Sequence, residues 1–387
     1  MINSSSQKRE RQERVWIDSN VKLRDCCSVL GVSSVIAVDT EFMRTDTFYP
    51  IAALFQISDG NNCYLIDPLV IDDFQPLVEL FENSSVVKVF HACSEDLEVF
   101  NYFLKCIPSP LVDTQIAAGL LNYGSSLGYA SLVNELLGVE LEKGETRSNW
   151  LQRPLAEKQC VYAMDDVLYL LDVYQRLIDE LEERNRLHWF EEECELLLQA
   201  AKEPALPEEY FLRIKSAWKL SRKELAILQA LSVWRENEAR KKDMPRNHVV
   251  HERVLLDLAV KQPTEHAELR MVQDFQPRKI KTYGELLLQI INDYSDMNDQ
   301  NLPHRLPSPL PSTQKNLIKV LKGAVVDVSE EMNLAAEVLA KKSDYEFMVR
   351  SGMSGGTYTL PPRMTGWRYD VIGEELLSIL NAGSVSN

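Results

Sequence analysis

The fold class this sequence predicts is an α/β domain followed by two all-helical domains, and three observations predict it. Apolar runs expected of buried strands and bounded by turn signals, such as Val35-Ile36-Ala37-Val38, fall in the first third of the chain. From there to the C-terminus, apolar residues recur with the 3.6-residue period of helices. Two proline-marked stretches, Lys202–Pro207 and Asn301–Ser312, cut that helical part into blocks.

The elements justify the scheme in order. Residues 1–14 read as a polar tail. Ser33–Phe42 carries a buried-strand run. Leu54–Ser58 and Cys63–Asp67 flank the turn cluster Asp59-Gly60-Asn61-Asn62 and read as a hairpin. Phe74–Glu82 is a helix, Val86–His91 another strand, and Glu95–Leu104 a helix with Ser94 as N-cap. Helices follow at Gln115–Leu121 and Tyr129–Leu137, then one long helix from Pro154, suited to a first turn, to about Glu183. The domain bounds are therefore 15–205, 210–295 and 312–384, the last block broken at Gly352–Gly356.

Composition narrows the function. Of 387 residues 45% are hydrophobic and 26% charged, enough to bury a core and to exclude collagen-like or disordered chains. A net charge of −16 argues against a passive nucleic-acid coat. It leaves open nucleic acid handled at a site with bound cations. Seven cysteines without a C-x-x-C pair form neither a disulfide framework nor a zinc knuckle, which suits a reducing compartment. Met1–Ser19 lacks signal-peptide character and no apolar run reaches the ~20 residues that span a bilayer, so a cytoplasmic protein without membrane association is expected. Charge is uneven: Arg213–Arg246 holds ten bases against four acids, with Trp218 and Trp234 interleaved. That stretch reads either as a solvated helix face or as a footprint for phosphate backbones.

Three acidic segments carry the chemistry. In Val38-Asp39-Thr40-Glu41-Phe42, alternation along a strand points Asp39 and Glu41 to the same side. Like charges so close repel unless a cation neutralises them, and carboxylate oxygens suit Mg²⁺ or Mn²⁺. Alone, the segment reads more readily as an exposed strand end. His91-Ala92-Cys93-Ser94-Glu95-Asp96 sets acids after another strand, where they also serve a helix macrodipole. Tyr162-Ala163-Met164-Asp165-Asp166 places Tyr162 and Asp166 on one helix face, which a Tyr–Asp contact would also explain.

In combination and order, Asp39, Glu41, Asp96, Tyr162 and Asp166 resemble the DEDD superfamily of 3′-5′ exonucleases, in the variant with tyrosine in its third motif. Within it the chain resembles the ribonuclease D family. The motifs are Asp39–Phe42, Leu65-Ile66-Asp67-Pro68-Leu69, His91–Phe100, Asp113-Thr114-Gln115, Trp150-Leu151-Gln152-Arg153-Pro154-Leu155 and Tyr162–Asp166. The first helical block resembles the helicase-and-ribonuclease-D C-terminal (HRDC) domain through Tyr283-Gly284-Glu285-Leu286-Leu287. The last block, with Leu360-Pro361 and Gly366-Trp367-Arg368, looks like a divergent second copy. The resemblance implies a ribonuclease H-like exonuclease domain ahead of two HRDC-like bundles. It also implies removal of nucleotides one at a time from the 3′ ends of tRNA precursors and other small structured RNAs, releasing 5′-monophosphates.

The resemblance further implies two divalent ions, Mg²⁺ or Mn²⁺, held by Asp39, Glu41, Asp96 and Asp166. In the allocation adopted, Asp39 bridges both, Glu41 and Asp166 complete the water-binding site, and Asp96 supports the leaving-oxygen side, partly through water. Two such ions about 3.5–4 Å apart clamp the attacking and leaving oxygens of an in-line displacement. Tyr162 would orient the water, since a free phenol of pKa about 10 is a poor base. Asp96 is preferred to Glu95 and Asp166 to Asp165 because those positions match the family motif. RNA contacts are expected from Phe42 and Arg44, and from Lys241 and Lys242 in the basic stretch. After Phe42 the chain departs from the family flavour at Asp46 and Ile51, while Arg44, Tyr49, Pro50 and Gln56 match it. Asp113 is read mainly as a helix cap, and His91 as a structural hydrogen-bonding residue. No protein partner is implied, and the linkers permit a three-lobed monomer.

Competing motifs are weaker. Gly124-Ser125-Ser126-Leu127-Gly128 matches a nucleophile elbow but follows helix rather than strand. His248 and His251 lack further ligands nearby in sequence. The same hydrolysis on DNA, and a catalytically dead RNA-binding module, remain as rival functions.

Overall fold

The computed structural model describes residues 13–384 except 143, 146, 147, 204 and 296. The chain divides into two compact units. One comprises the chain up to Met43, Ala52–Lys202 and the chain from Leu310 onward; the other comprises Arg44–Ile51 and Glu203–Pro309.

The first unit is built on one sheet of six strands: β1 Glu13–Ile17, β2 Val35–Met43, β3 Ile51–Ser58, β4 Asn62–Ile66, β5 Val87–Phe90 and β6 Leu111–Asp113. Their order is β1-β4-β3-β2-β5-β6. β1 runs parallel to β4, β3 antiparallel to β4, and β5 parallel to both β2 and β6. Helices α1 Asn20–Leu30, α2 Gln75–Glu82 and α3 Ser94–Val99, which continues as a π-turn over Phe100–Leu104, share one core. Helices α4 Thr114–Leu120, α5 Tyr129–Leu137, α6 Glu157–Leu168, α7 Leu170–Glu183 and α8 Leu187–Lys202 follow.

Strand β2 explains the layering. Ile36, Ala37 and Val38 are fully buried, as a strand covered on both faces requires. Ile36 and Val38 pack with Leu23, Phe81, Leu97 and Phe100 from α1–α3 and the π-turn. Ala37, facing the other way, packs with Ala117, Leu132, Val167 and Phe190 of α4–α8.

Several expected boundaries moved. Residues 1–12 of the expected tail lie outside the described residues, and Glu13 and Arg14 open β1. The hairpin forms, its turn held by Asp59 Oδ1 accepting from the amides of Asn61 and Asn62. Strand β6 was not anticipated, because three residues are too few to show a period. Cys93, not Ser94, caps α3, because the left-handed turn at Ala92 (φ 59°) brings Cys93 to that position. The long helix from Pro154 is two helices, broken at buried Tyr169, and begins only at Glu157. Pro154 is kept outside because Arg153 is bound elsewhere, as described below.

In the second unit, α9 Arg222–Lys241 starts with a capping box between Ser221 and Glu224. With α10 Glu252–Lys261 and α11 Pro277–Ser295 it encloses a core of Leu225, Leu228, Leu255, Leu258, Ile280 and Leu287. Phe48, from the segment between β2 and β3, is part of that core. Arg222 anchors the proline-rich stretch, donating to the carbonyls of Leu302 (2.8 Å) and Pro303 (3.1 Å).

The C-terminal helices α12 Lys315–Glu331, α13 Lys342–Gly355 and α14 Glu374–Ser384 share the core of α4–α8 through Leu321, Val325, Met348, Trp367 and Leu380. Trp367 stacks on Trp189 with ring centres 4.6 Å apart. Arg368 pairs with Glu193, which also accepts the Trp367 indole N–H at 3.0 Å. The helical run of this block breaks within the glycine run, as expected. Helix α13 continues to Gly355 and ends on Gly356 at φ 71°, a left-handed cap. No helix among the described residues is long and apolar enough to cross a membrane.

Candidate active site

Two elements on one side of the sheet bring three acids together. On β2, Asp39 and Glu41 share the face of Ala37. Helix α6 lies on that face, with Cys160 and Ala163 packed on Ala53, Leu54, Leu65 and Trp150. The helix is entered through a clamp. The Arg153 guanidinium donates from Nε and Nη2 to the two carboxylate oxygens of Asp67 at 2.6 and 2.7 Å. Nη2 also reaches the Ala53 carbonyl (2.6 Å) and Nη1 the Trp150 carbonyl (2.8 Å). This paired fork ties the start of α6 to β3 and to the end of β4. Helix α6 then presents Asp166, and carboxylate oxygens of Asp39, Glu41 and Asp166 lie within 4.8 Å of one another. Tyr162 stands one turn earlier, its ring 6.0 Å from that of buried Trp150.

Asp96 arrives from the other layer, on α3, where it is buried. Its Oδ1 accepts a hydrogen bond from the Thr40 hydroxyl on β2. The turn before it is fixed by Asp113. Oδ1 of Asp113 accepts from the amides of Ala92 (2.9 Å) and Gln115 (2.8 Å), and Oδ2 from that of Cys93 (2.9 Å). Asp113 therefore caps α4 and also shapes the Asp96 loop. His91 donates from Nε2 to the Leu127 carbonyl (3.0 Å), and its Nδ1 lies 2.9 Å from the Thr114 hydroxyl. Burial lowers its pKa, favouring a neutral, structural imidazole.

The electrostatics single out the four acids. Desolvation first, then repulsion from Asp166, holds Asp39 well above the ordinary carboxylate range. Burial and the neighbouring Asp39, Asp166 and Asp96 push Glu41 up to about 10. Burial and Asp39 raise Asp96, against the lowering effect of Thr40. Burial, Asp165 and Asp96 push Asp166 up to about 8. Among the described residues no lysine or arginine pairs with any of them. A hard divalent cation is the partner this oxygen set fits, since it would offset the burial and the mutual repulsion that raise these pKa values.

Of the remaining expected residues, Phe42 is half-buried against the core of α1–α3. Arg44 belongs to the second unit, where its Nε donates to the Phe48 carbonyl at 2.9 Å. Lys241 is exposed at the end of α9. Lys242 donates to Glu238 (2.6 Å) and to the Tyr283 hydroxyl (2.9 Å). Glu95 is exposed and Asp165 buried, and neither belongs to the close group of three. Sequence reasoning assigned no role to Thr40, or to Arg153 and Asp67. Thr40 could have been flagged by its place between two acids, and Arg153 and Asp67 lie in motifs that carry the family resemblance.

Comparison with known proteins follows the same division. A family model of 3′-5′ exonuclease domains matches residues 14–182, and the HRDC domain model matches residues 224–291. The chain is 41% identical to ribonuclease D of Pseudomonas paraeruginosa strain PA7, covering 95% of this chain and 97% of that one. It superposes on the crystal structure of Escherichia coli RNase D, described as an exoribonuclease involved in structured RNA processing. That match has a TM-score of 0.88 and 36% identity, and covers 95% and 98% of the two chains. The catalytic core of RRP6 from Trypanosoma brucei matches at TM-score 0.57 and 29% identity, covering 73% of this chain and 79% of that one.

Proposed function

From the premise that this chain belongs to the ribonuclease D family of hydrolytic 3′-5′ exoribonucleases, we propose that it trims the 3′ ends of tRNA precursors and other small structured RNAs. It does so one nucleotide at a time, releasing nucleoside 5′-monophosphates with the help of two divalent ions, Mg²⁺ or Mn²⁺. The observation that carries this reading is the group of Asp39, Glu41 and Asp166, with oxygens within 4.8 Å of one another and no basic partner among the described residues. With Asp96 they are the residues that would hold such ions through carboxylate oxygens.

When bound, such ions supply Lewis-acid stabilisation of the charge that develops at phosphorus and on the attacking and leaving oxygens. The chain's own residues do the positioning. Arg153 and Asp67 hold α6 so that Tyr162 and Asp166 face the strand acids. Tyr162 orients the attacking water through its hydroxyl. Phe42 stacks on a terminal base, and Arg44, Lys241 and Lys242 contact phosphates. Exonuclease chemistry occupies 15–205, while the helical parts 210–295 and 312–384, the second a divergent HRDC-like domain, belong to RNA handling or support. A cytoplasmic location without a protein partner is part of the same reading.

The test is a labelled tRNA precursor and a matched DNA oligonucleotide, each incubated with Mg²⁺, Mn²⁺ or EDTA. Mononucleotide release from RNA alone, stopped by EDTA, is expected. Equal release from DNA would replace the substrate class, and no release from either would favour an RNA-binding module without catalysis.

A further inference from the structure

We propose that Thr40 is the positioning residue of this site, its hydroxyl fixing the Asp96 carboxyl at the end of the sheet. The inference rests on reading the four acids as an ion-binding site. It starts from the two-layer construction of β2. Strands β2 and β5 pair through Ala37 and Val89. Strand β5 then ends at Phe90, and the chain turns through Ala92 into α3, while β2 runs on to Met43. Thr40 therefore stands beyond the last residue of β5, on the face of Ile36 and Val38, whose core includes Leu97 of α3.

Asp39 and Glu41 point to the opposite face, toward α6. Asp96 belongs to the Thr40 layer and reaches the other acids only around the strand end. The Thr40 hydroxyl, on a residue only 6% exposed, has one proton to donate, and Asp96 Oδ1 receives it. Asp96 is repelled by Asp39, so a carboxyl without this tether would rotate away from the other three acids. The strand residue between two ligands of one layer thus fixes the ligand of the other layer.

The variants Thr40→Val, which keeps the shape, and Thr40→Ser, which keeps the hydroxyl, test this. Two readouts are needed: calorimetric Mn²⁺ titration of the protein without RNA, and steady-state hydrolysis of a 3′-tailed RNA. Loss of such a supporting hydrogen bond is expected to weaken Mn²⁺ binding and lower kcat by about 10–100-fold in Thr40→Val, with KM for RNA unchanged, and Thr40→Ser is expected to stay within about threefold of the parent. Thr40→Ala replaces Thr40→Val in both readouts if the latter does not fold. A valine or alanine variant with parental Mn²⁺ binding and kcat overturns the role of Thr40 while leaving the ion site standing. So does a serine variant as impaired as valine. A parent protein that binds no Mn²⁺ overturns the ion-site reading, and this inference with it.

Discussion

Two carboxylate environments in this molecule make opposite statements. On α9, Glu236 is 1% exposed and lies between two guanidinium groups. Arg240 approaches it at 2.9 Å, and Arg246 binds both its oxygens at 2.5 and 2.9 Å. At the end of β2, Asp39, Glu41, Asp96 and Asp166 have each other instead, and their pKa values rise. A buried carboxylate with arginine partners is complete as structure, because its charge and lone pairs are satisfied within the fold. Carboxylates whose nearest charged groups are carboxylates need something from outside the chain, and close oxygen donors favour a hard cation. Charge count alone would not separate the two; the identity of the neighbours does.

The largest effect that can break this contrast comes from removing one charge on each side. Asp39→Asn is expected to lower kcat by about 10³-fold or more, equivalent to several kcal/mol of transition-state stabilisation, with little change in melting temperature. Glu236→Gln is expected to do the reverse, leaving single-turnover hydrolysis of a short 3′ tail near normal while destabilising the second unit by about 3–5 kcal/mol. Single-turnover kinetics and thermal melts of both variants decide it. Equal loss of activity without destabilisation in Glu236→Gln would erase the distinction.

Next in size is the Arg153–Asp67 clamp, a compensated pair placed beside the uncompensated group. Arg153→Ala leaves Asp67, whose side chain is 3% exposed, without its partner. A cost of about 3–5 kcal/mol is expected, together with a fall in kcat because α6 carries Tyr162 and Asp166. Unchanged kcat with lowered stability would show that the clamp supports the fold only.

A pH series sharpens the same contrast. Glu41 near 10 and Asp166 near 8 titrate far above the ordinary values of about 4.3 and 3.9 for free side chains. A raised folded pKa contributes stability in full below about pH 4, and this contribution is lost as pH climbs through about 8 to 10. In EDTA the melting temperature is therefore expected to fall from pH 6 to pH 9. Mg²⁺ is expected to raise it more at pH 9 than at pH 6, because it favours the ionised acids. An Asp166→Asn variant should lose most of that Mg²⁺ response. A Mg²⁺ effect independent of pH would contradict the assignment.

How far the sequence reached follows from the range of each interaction. Strand alternation placed Asp39 and Glu41 together, and helical spacing aligned Tyr162 with Asp166, because both are local geometry. Asp113 as a helix cap was equally local. The tether from Thr40 to Asp96 spans 56 residues and the Arg153–Asp67 clamp 86, so no period reveals them. The break at Tyr169 escaped notice because the apolar period continues across it. The sharing of one core by α4–α8 and the C-terminal helices depends on Trp367 meeting Trp189, which neither segment announces alone.

The smallest effect concerns the basic helix. Because Lys242 is engaged by Glu238 and Tyr283, most of any RNA contact would fall to Lys241. Replacing both with alanine is expected to weaken RNA binding and to reduce the slope of log affinity against log salt by about 1–2. Binding of a tRNA precursor that is unchanged at low salt would remove these lysines from the interface.

The central claim, that acids lacking a basic partner form a cation-dependent hydrolytic centre, is tested most directly by following 5′-mononucleotide release from a 3′-tailed RNA as free Mg²⁺ is raised from zero. The account predicts no release in EDTA, saturable recovery with Mg²⁺ or Mn²⁺, and no recovery for Asp39→Asn at the same concentrations. Release that persists in EDTA, or that Asp39→Asn supports at the parental rate, would contradict it.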